Sequence, residues 1–383
     1  MIQRIAEPEL LKLAAQFKAV AVTGPRQSGK TTLVRKVFPD KPYVNLENPD
    51  LRRFAIEDPL GFLSNYPEGA ILDEIQRVPE IFSYLQQILD DHNKPGMFVL
   101  TGSNNFLLQD NISQSLAGRV GYLFLLPLSI SEINSGEKAD VLILKGGYPE
   151  LYKQDSDISN YYLNYIRTYI ERDVRMIKNI TDLYVFEKFV RLCAGRIGQL
   201  LNLSNLATET GVDVKTASSW LSVLETSFIV FRLQPFYRNF NKRIVKMPKL
   251  YFYDTGLASA LLGMENTSQL ILNPYRGSLF ENLIVVEMLK IRFNAGRVNN
   301  LFFWRDNTGN EIDLLIDNNN ELIPVEIKSG QTISSDSFKG LEFWQKLQKT
   351  ESTGYLVYAG EMSQQRSNAI RVVPVHQLNL IKD

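Results

Sequence analysis

Apolar and polar residues alternate along the first third of the chain in blocks of two kinds. Five short strand-like runs, Ala19–Val22, Tyr43–Leu46, Ala70–Leu72, Met97–Leu100 and Tyr122–Leu126, are separated by helical stretches such as Glu80–Asp91. Strand and helix in alternation predict a parallel sheet covered on both faces, an α/β fold.

The pattern then changes twice. Residues 156–200 read as helices, with Tyr161, Tyr162, Tyr165, Ile166, Tyr169 and Ile170 recurring at helical spacing as an apolar stripe. Next, Ser204 can cap a short helix, Gly211 can end it, and Asp213 can cap a second helix running to about Glu225. Helix, tight turn and helix, followed by strand-like runs Ile229–Phe236 and Lys249–Tyr253, predict a helix-turn-helix with a two-stranded wing. The last hundred residues predict a helix over Leu279–Phe293 and strands near Asn300–Trp304, Glu311–Ile316 and Glu321–Lys328. Asp317-Asn318-Asn319-Asn320 reads as a hairpin turn, and helix Ser337–Gln348 and strand Gly354–Tyr358 follow. At 383 residues the chain exceeds what one core usually serves. The expected division is a sheet domain over 1–135, a helical lid or linker over 136–200, a winged helix over 201–265, and a second α/β domain over 266–383.

The chemistry begins directly after the first run. Gly24-Pro25-Arg26-Gln27-Ser28-Gly29-Lys30-Thr31 fits G-x-x-x-x-G-K-[ST], with Thr32 continuing into an unbroken helical stretch. Glycines let the backbone wrap phosphates with its N–H groups, and the helix N-terminus adds partial positive charge. Lys30 suits the β/γ-phosphates and the Thr31 hydroxyl suits Mg²⁺, with Arg26 a second phosphate contact. The third run ends in Asp73-Glu74, as expected where an aspartate holds Mg²⁺ and a glutamate activates water. That glutamate favours hydrolysis over phosphoryl transfer. Asn93-Lys94-Pro95-Gly96 lacks the acid that would read a guanine edge, which makes ATP the expected nucleotide. The fourth run leads to Ser103, placed to touch the γ-phosphate or to cap a helix, with Asn104 and Asn105 as further polar candidates. Arg119 precedes the fifth run, either as a surface residue or as a finger reaching a neighbouring subunit's ATP in a homo-oligomer.

Composition narrows the setting. Lys+Arg and Asp+Glu are both 42, so no global field draws the chain to nucleic acid or membrane, and any such binding must be local. A local patch exists: Arg238, Lys242, Arg243, Lys246 and Lys249 interleave with Phe236, Tyr237 and Phe240 without an acid, which suits either a phosphate backbone or a solvated hairpin. The single Cys193 excludes an internal disulfide and a cysteine-based zinc site. Acids and a proline near the N-terminus do not suit a signal peptide, and Tyr122–Ile130 is too short to span a bilayer. A cytoplasmic protein without a membrane role is expected.

The motif set, Gly24 to Leu33, Leu72-Asp73-Glu74-Ile75-Gln76, Leu100-Thr101-Gly102-Ser103, Leu116-Ala117-Gly118-Arg119 and Gly146-Gly147-Tyr148-Pro149, resembles that of prokaryotic AAA-type ATPases carrying a C-terminal domain of unknown function. The resemblance spans essentially the whole chain. It implies an AAA+-like core, an ATPase cycle, Ser103 as sensor and Arg119 as finger.

The C-terminal domain carries its own constellation. Glu326 and Lys328 alternate with Val325 and Ile327 on a strand, and the hairpin brings Asp313 beside them. Two carboxylates can hold Mg²⁺ or Mn²⁺ while a lysine orients the water that attacks a phosphodiester, and Glu281 can add a third acid. The arrangement resembles the PD-(D/E)xK nuclease fold, with Ile312 where the proline of that name would stand. Two functions remain open on sequence: an ATPase acting on nucleic acid, DNA first, with a cutting domain, or a nucleotide-gated switch whose domain binds without cutting. A transcription regulator using the winged helix is a third.

Overall fold

The computed structural model describes residues 2–381 apart from 104–107, 109–111, 113, 154–155, 171–181, 238–244, 320 and 349–352. The chain forms two compact units. One comprises Met1–Leu128, Thr226–Phe228 and Phe293–Arg297; the other comprises Ser129–Glu225, Ile229–Arg292 and Val298–Asp383.

In the first unit, β1 (Ala19–Thr23), β2 (Tyr43–Asn45), β3 (Ile71–Asp73), β4 (Phe98–Gly102) and β5 (Val120–Phe124) form a sheet of order β2-β3-β4-β1-β5, parallel throughout. Its strands β1, β3 and β4 are buried on both faces, as a parallel sheet requires. Alternate residues of β1 show this directly. Ala19 and Ala21 enter one apolar cluster with Leu72, Leu100 and Phe82, whereas Val20 and Val22 enter another with Leu10, Leu33 and Leu123. Insertion of β4 between β1 and β3 has a functional consequence. The carboxyl ends of the loop strand, the acid-bearing strand and the strand leading to Ser103 lie side by side, where such sheets bind ligands.

In the second unit, β6 (Val230–Pro235), β7 (Lys249–Phe252), β8 (Leu301–Arg305), β9 (Glu311–Asp317), β10 (Leu322–Lys328), β11 (Gly354–Tyr358), β12 (Gln364–Gln365) and β13 (Ile370–Pro374) form one sheet of order β12-β13-β11-β10-β9-β8-β6-β7. The two predicted helices are present as Leu203–Thr210 and Val214–Thr226, separated by Gly211 in the left-handed region. Asp213 caps the second through the Thr216 amide at 3.0 Å, but Asn202 rather than Ser204 caps the first, through the Asn205 amide at 3.0 Å.

The main segment of the first unit runs to Leu128, and β6 and β7, read in sequence as a wing, do not stand apart from the C-terminal sheet. The free edge of β6 pairs in parallel with β8, Gln234 opposite Phe302 and Pro235 opposite Phe303. Phe236 then packs edge-on to Phe302 and joins the cluster around Trp304 and Trp344. An unpaired strand edge beside an apolar face is satisfied by continuation, which sequence periodicity cannot signal.

Tyr162, Tyr165 and Ile166 of the tyrosine stripe are core. Tyr162 and Tyr165 are buried; the Tyr162 hydroxyl donates to Asp254 at 2.7 Å, and the Tyr148 and Tyr165 hydroxyls bond at 2.9 Å. The Gly147 amide donates to the other Asp254 oxygen at 2.7 Å. A Cβ on Gly146 would stand 2.3 Å from the Tyr162 hydroxyl, so the Gly146-Gly147-Tyr148-Pro149 motif is a packing device. The side chains of Tyr169 and Ile170 lie outside the described residues, as do Asn104, Asn105, Arg238, Phe240, Lys242, Arg243 and Asn320.

Candidate functional site

The Gly24–Thr31 loop joins β1 to the helix Lys30–Val37. Gln27 and Gly29 have φ of 60° and 93°, left-handed values that turn successive amides toward one side. Gly24 is required by close approach, since a Cβ there would lie 2.1 Å from the Leu125 carbonyl oxygen. The loop is held from behind by Arg4, which donates to the carbonyls of Ser28 and Leu126, each at 2.7 Å. Nothing in the sequence pattern marked Arg4. The Lys30 ammonium is buried and donates to the carbonyls of Gly24 at 3.0 Å and Pro25 at 2.8 Å, which keeps it over the loop.

Asp73 is the meeting point. The Thr31 hydroxyl donates to it at 3.0 Å, the Tyr43 hydroxyl at 2.6 Å, and the Thr101 hydroxyl bonds its other oxygen. Burial and the Asp73 bond hold the Tyr43 phenol well above its ordinary range, so it remains a donor. A hydroxyl and a carboxylate in contact are the donor set a hard divalent ion replaces by bridging, and Thr31 with Asp73 fit Mg²⁺. Glu74 follows in a left-handed conformation, φ 55°, uncommon for a residue with a side chain. Its carboxylate accepts from the Gln76 amide at 2.5 Å and from the Ser103 hydroxyl at 3.1 Å. The fold thus brings Lys30, Thr31, Asp73, Glu74 and Ser103 together, and adds Tyr43, Thr101 and Gln76.

Arg119 is elsewhere. It precedes β5, whose first residue pairs with the first residue of β1, so it lies at the amino edge of the sheet. Five residues of strand, about 16 Å, separate that edge from the loop. Arg119 instead forks onto Asp90, at 2.6 and 2.8 Å, a pairing that lowers the Asp90 pKa.

The second constellation lies on β7, β9, β10 and the helix Arg276–Asn294. The β9–β10 register, Val325 opposite Leu314, sets Asp313 beside Glu326, and Asp313 accepts from the Ile327 amide at 2.8 Å. The Lys328 ammonium stands 2.5 Å from Glu326 and 3.9 Å from Asp313. Burial, reinforced by the Asp313 charge, pushes the Glu326 carboxyl up to about 8 against the pull of Lys328. For Lys328, burial opposes the charge, but Asp313 and Glu326 outweigh it and raise the pKa. One Glu326 oxygen, Oε2, is buried and makes no hydrogen bond. An orphaned carboxylate oxygen next to a second acid fits one divalent cation through Asp313 and Glu326.

Glu281 does not join that pair as a third ligand. Among the described residues no three acids, histidines or cysteines are grouped to hold a metal. Glu281 accepts from the Lys249 ammonium at 2.9 Å and the Tyr251 hydroxyl at 2.5 Å, and Lys249 also contacts Glu311 at 2.5 Å. Burial and the Asp313 charge raise the Glu281 pKa. Lys249, grouped in sequence with the basic wing, is therefore a buried cation of this site and not a surface contact. Its paired position on β7 was invisible without the sheet order. Tyr237 and Lys246 of the same stretch are exposed.

The comparisons agree with the first half of this picture. Residues 16–134 match the family model described as an AAA domain, residues 136–268 a domain of unknown function (DUF8612), and residues 276–378 a second one (DUF4143). An uncharacterized protein of Mycobacterium tuberculosis is 31% identical over 382 residues, covering 98% of this chain and 84% of the relative. One from Methanocaldococcus jannaschii is 26% identical over 365 residues, covering 85% and 78%. Among solved structures, a Walker-type ATPase of Pyrococcus abyssi aligns with a TM-score of 0.43 and 14% identity over 68% of this chain and 96% of that one. No helix among the described residues is long and apolar enough to cross a membrane.

Glu326 also generates a pH dependence. The folded chain keeps its proton to about pH 8, whereas the ordinary value is 4.5, so folding stability falls as pH rises through that window. Glu326→Gln carries no such penalty. Its melting temperature should gain on wild type progressively from about pH 5 to about pH 9 in thermal denaturation; a constant difference across that range would mean the carboxyl is not held neutral. The match along nearly its whole length places this chain in the same family as the mycobacterial protein, with an AAA-like P-loop ATPase domain as the first of its three matched regions.

Proposed function

We propose that this chain hydrolyses ATP with Mg²⁺ in its first unit and acts on nucleic acid, DNA first, through a metal-dependent phosphodiester-cleaving site in its second. The observation that carries the ATPase reading is the Thr31–Asp73 contact with Glu74 next in sequence, set beside the lysine-bearing loop. Mg²⁺ on Thr31 and Asp73 would neutralise triphosphate charge. Lys30 and the amides of residues 24–32 bind and orient the phosphates. Glu74 accepts the proton of the attacking water, and Ser103 positions Glu74 through their 3.1 Å bond.

Glu74→Gln should bind ATP with wild-type affinity and lose roughly 10²- to 10⁴-fold in turnover, measured by phosphate release beside nucleotide binding. Turnover near wild type would remove Glu74 from the mechanism. Arg119, at the sheet edge remote from its own loop, is suited to a neighbouring subunit's nucleotide once Asp90 releases it. On that reading Arg119→Ala lowers ATPase activity only at concentrations where wild type self-associates. An equal rate at every concentration would leave the Asp90 ion pair as the residue's whole role.

Support for the second activity is the Asp313, Glu326 and Lys328 arrangement, whose carboxylates can hold Mg²⁺ or Mn²⁺ while Lys328 orients water. Cleavage of single-stranded, duplex or branched DNA should require the metal and vanish in both Asp313→Ala and Lys328→Ala; cleavage surviving in both would assign it to another agent. A non-cutting, nucleotide-gated binding domain is the second reading. It is favoured by the lysines that already satisfy most of the acids, and DNA-stimulated ATPase activity without cleavage would select it.

A further inference from the structure

Lys249 reaches the acidic site from outside the region that carries the other charges. It lies on β7, inside the segment matched to one domain family, whereas Glu281, Glu311, Asp313, Glu326 and Lys328 lie inside the segment matched to the other. Its residue is 3% exposed, and its ammonium contacts Glu281 at 2.9 Å and Glu311 at 2.5 Å. Tyr251, two residues on along the same strand, donates to the same Glu281 oxygen. Removing a cation from water at this depth costs several kcal/mol unless acids surround it, so the strand is placed to deliver that charge.

The pairing gives the position a purpose. Lys249 occupies Glu281 and Glu311, which leaves Asp313 and Glu326 as the two acids of the cluster not paired with it. Among the described residues of the cluster, the buried carboxylate oxygen without a hydrogen bond is Glu326 Oε2.

From this we infer that Lys249 supplies the positive charge a second metal would otherwise bring, and that it makes the site bind a single divalent cation, through Asp313 and Glu326. Glu281 and Glu311 are thereby counter-ions of a lysine and not metal ligands. Lys249 is a positioning residue, with Tyr251 fixing the carboxylate it pairs with. The inference rests on reading Asp313 and Glu326 as the metal ligands.

The test is a count of bound Mn²⁺ on the full, nucleotide-free chain by electron paramagnetic resonance, made in a Thr31→Ala background so that the ATP site is excluded. Wild type and Lys249→Arg should hold one such ion, and Lys249→Gln two. Two ions in wild type, or one in a natively melting Lys249→Gln, would overturn the inference. If Lys249→Gln does not fold, Lys249→Met is counted in its place, two ions upholding the inference and one overturning it. No ion sensitive to Glu326→Gln would instead defeat the metal-ligand reading beneath it, and one ion without DNA cleavage would leave the inference standing while removing the nuclease.

Discussion

A buried carboxylate, Asp73, organises the first unit. It sits at the end of β3 and takes hydrogen bonds from Thr31 beyond β1, Tyr43 on β2 and Thr101 on β4, so one charge ties four strands together. A carboxylate left unpaired there would cost several kcal/mol. Its partners on β2 and β4 therefore specify register as well as chemistry, since sliding either strand by one residue would turn the bonding side chain to the other face. The same carboxylate is the natural second ligand for an ion bound by Thr31. Structural and catalytic requirements coincide in one residue, and the turn that follows it presents Glu74.

The second unit solves a related problem differently. Four acids gathered on β9, β10 and one helix repel one another, and the fold balances them with lysines from two directions, Lys328 from within the strand and Lys249 from β7. This explains why β6 and β7 are woven into the C-terminal sheet. Detached, β7 would bury an ammonium without acids, and Glu281 would lose both of its donors.

Much of the first site was legible because its residues are close in sequence or tied to a strand end. A loop followed by a helix fixes Lys30 and Thr31 by adjacency, and an apolar run ending in two acids fixes Asp73 and Glu74. Arg4, Tyr43 and Gln76 were not legible, since each acts through a contact that depends on which strands are neighbours. In the C-terminal unit the hairpin made Asp313, Glu326 and Lys328 readable as a set. Glu281, expected as a third acid, instead takes its bonds from Lys249 and Tyr251, partners that were not foreseen.

The sequence by itself determined the local elements and the phosphate loop, because periodicity and motif spacing act over a few residues. Only the tertiary structure decided the burial of Lys249 and the pairing of Arg119 with Asp90. Each depends on long-range burial: a charge's energy is set by what surrounds it in three dimensions, and Lys249 reads as an ordinary surface lysine until β7 carries it beneath Glu281 and Glu311.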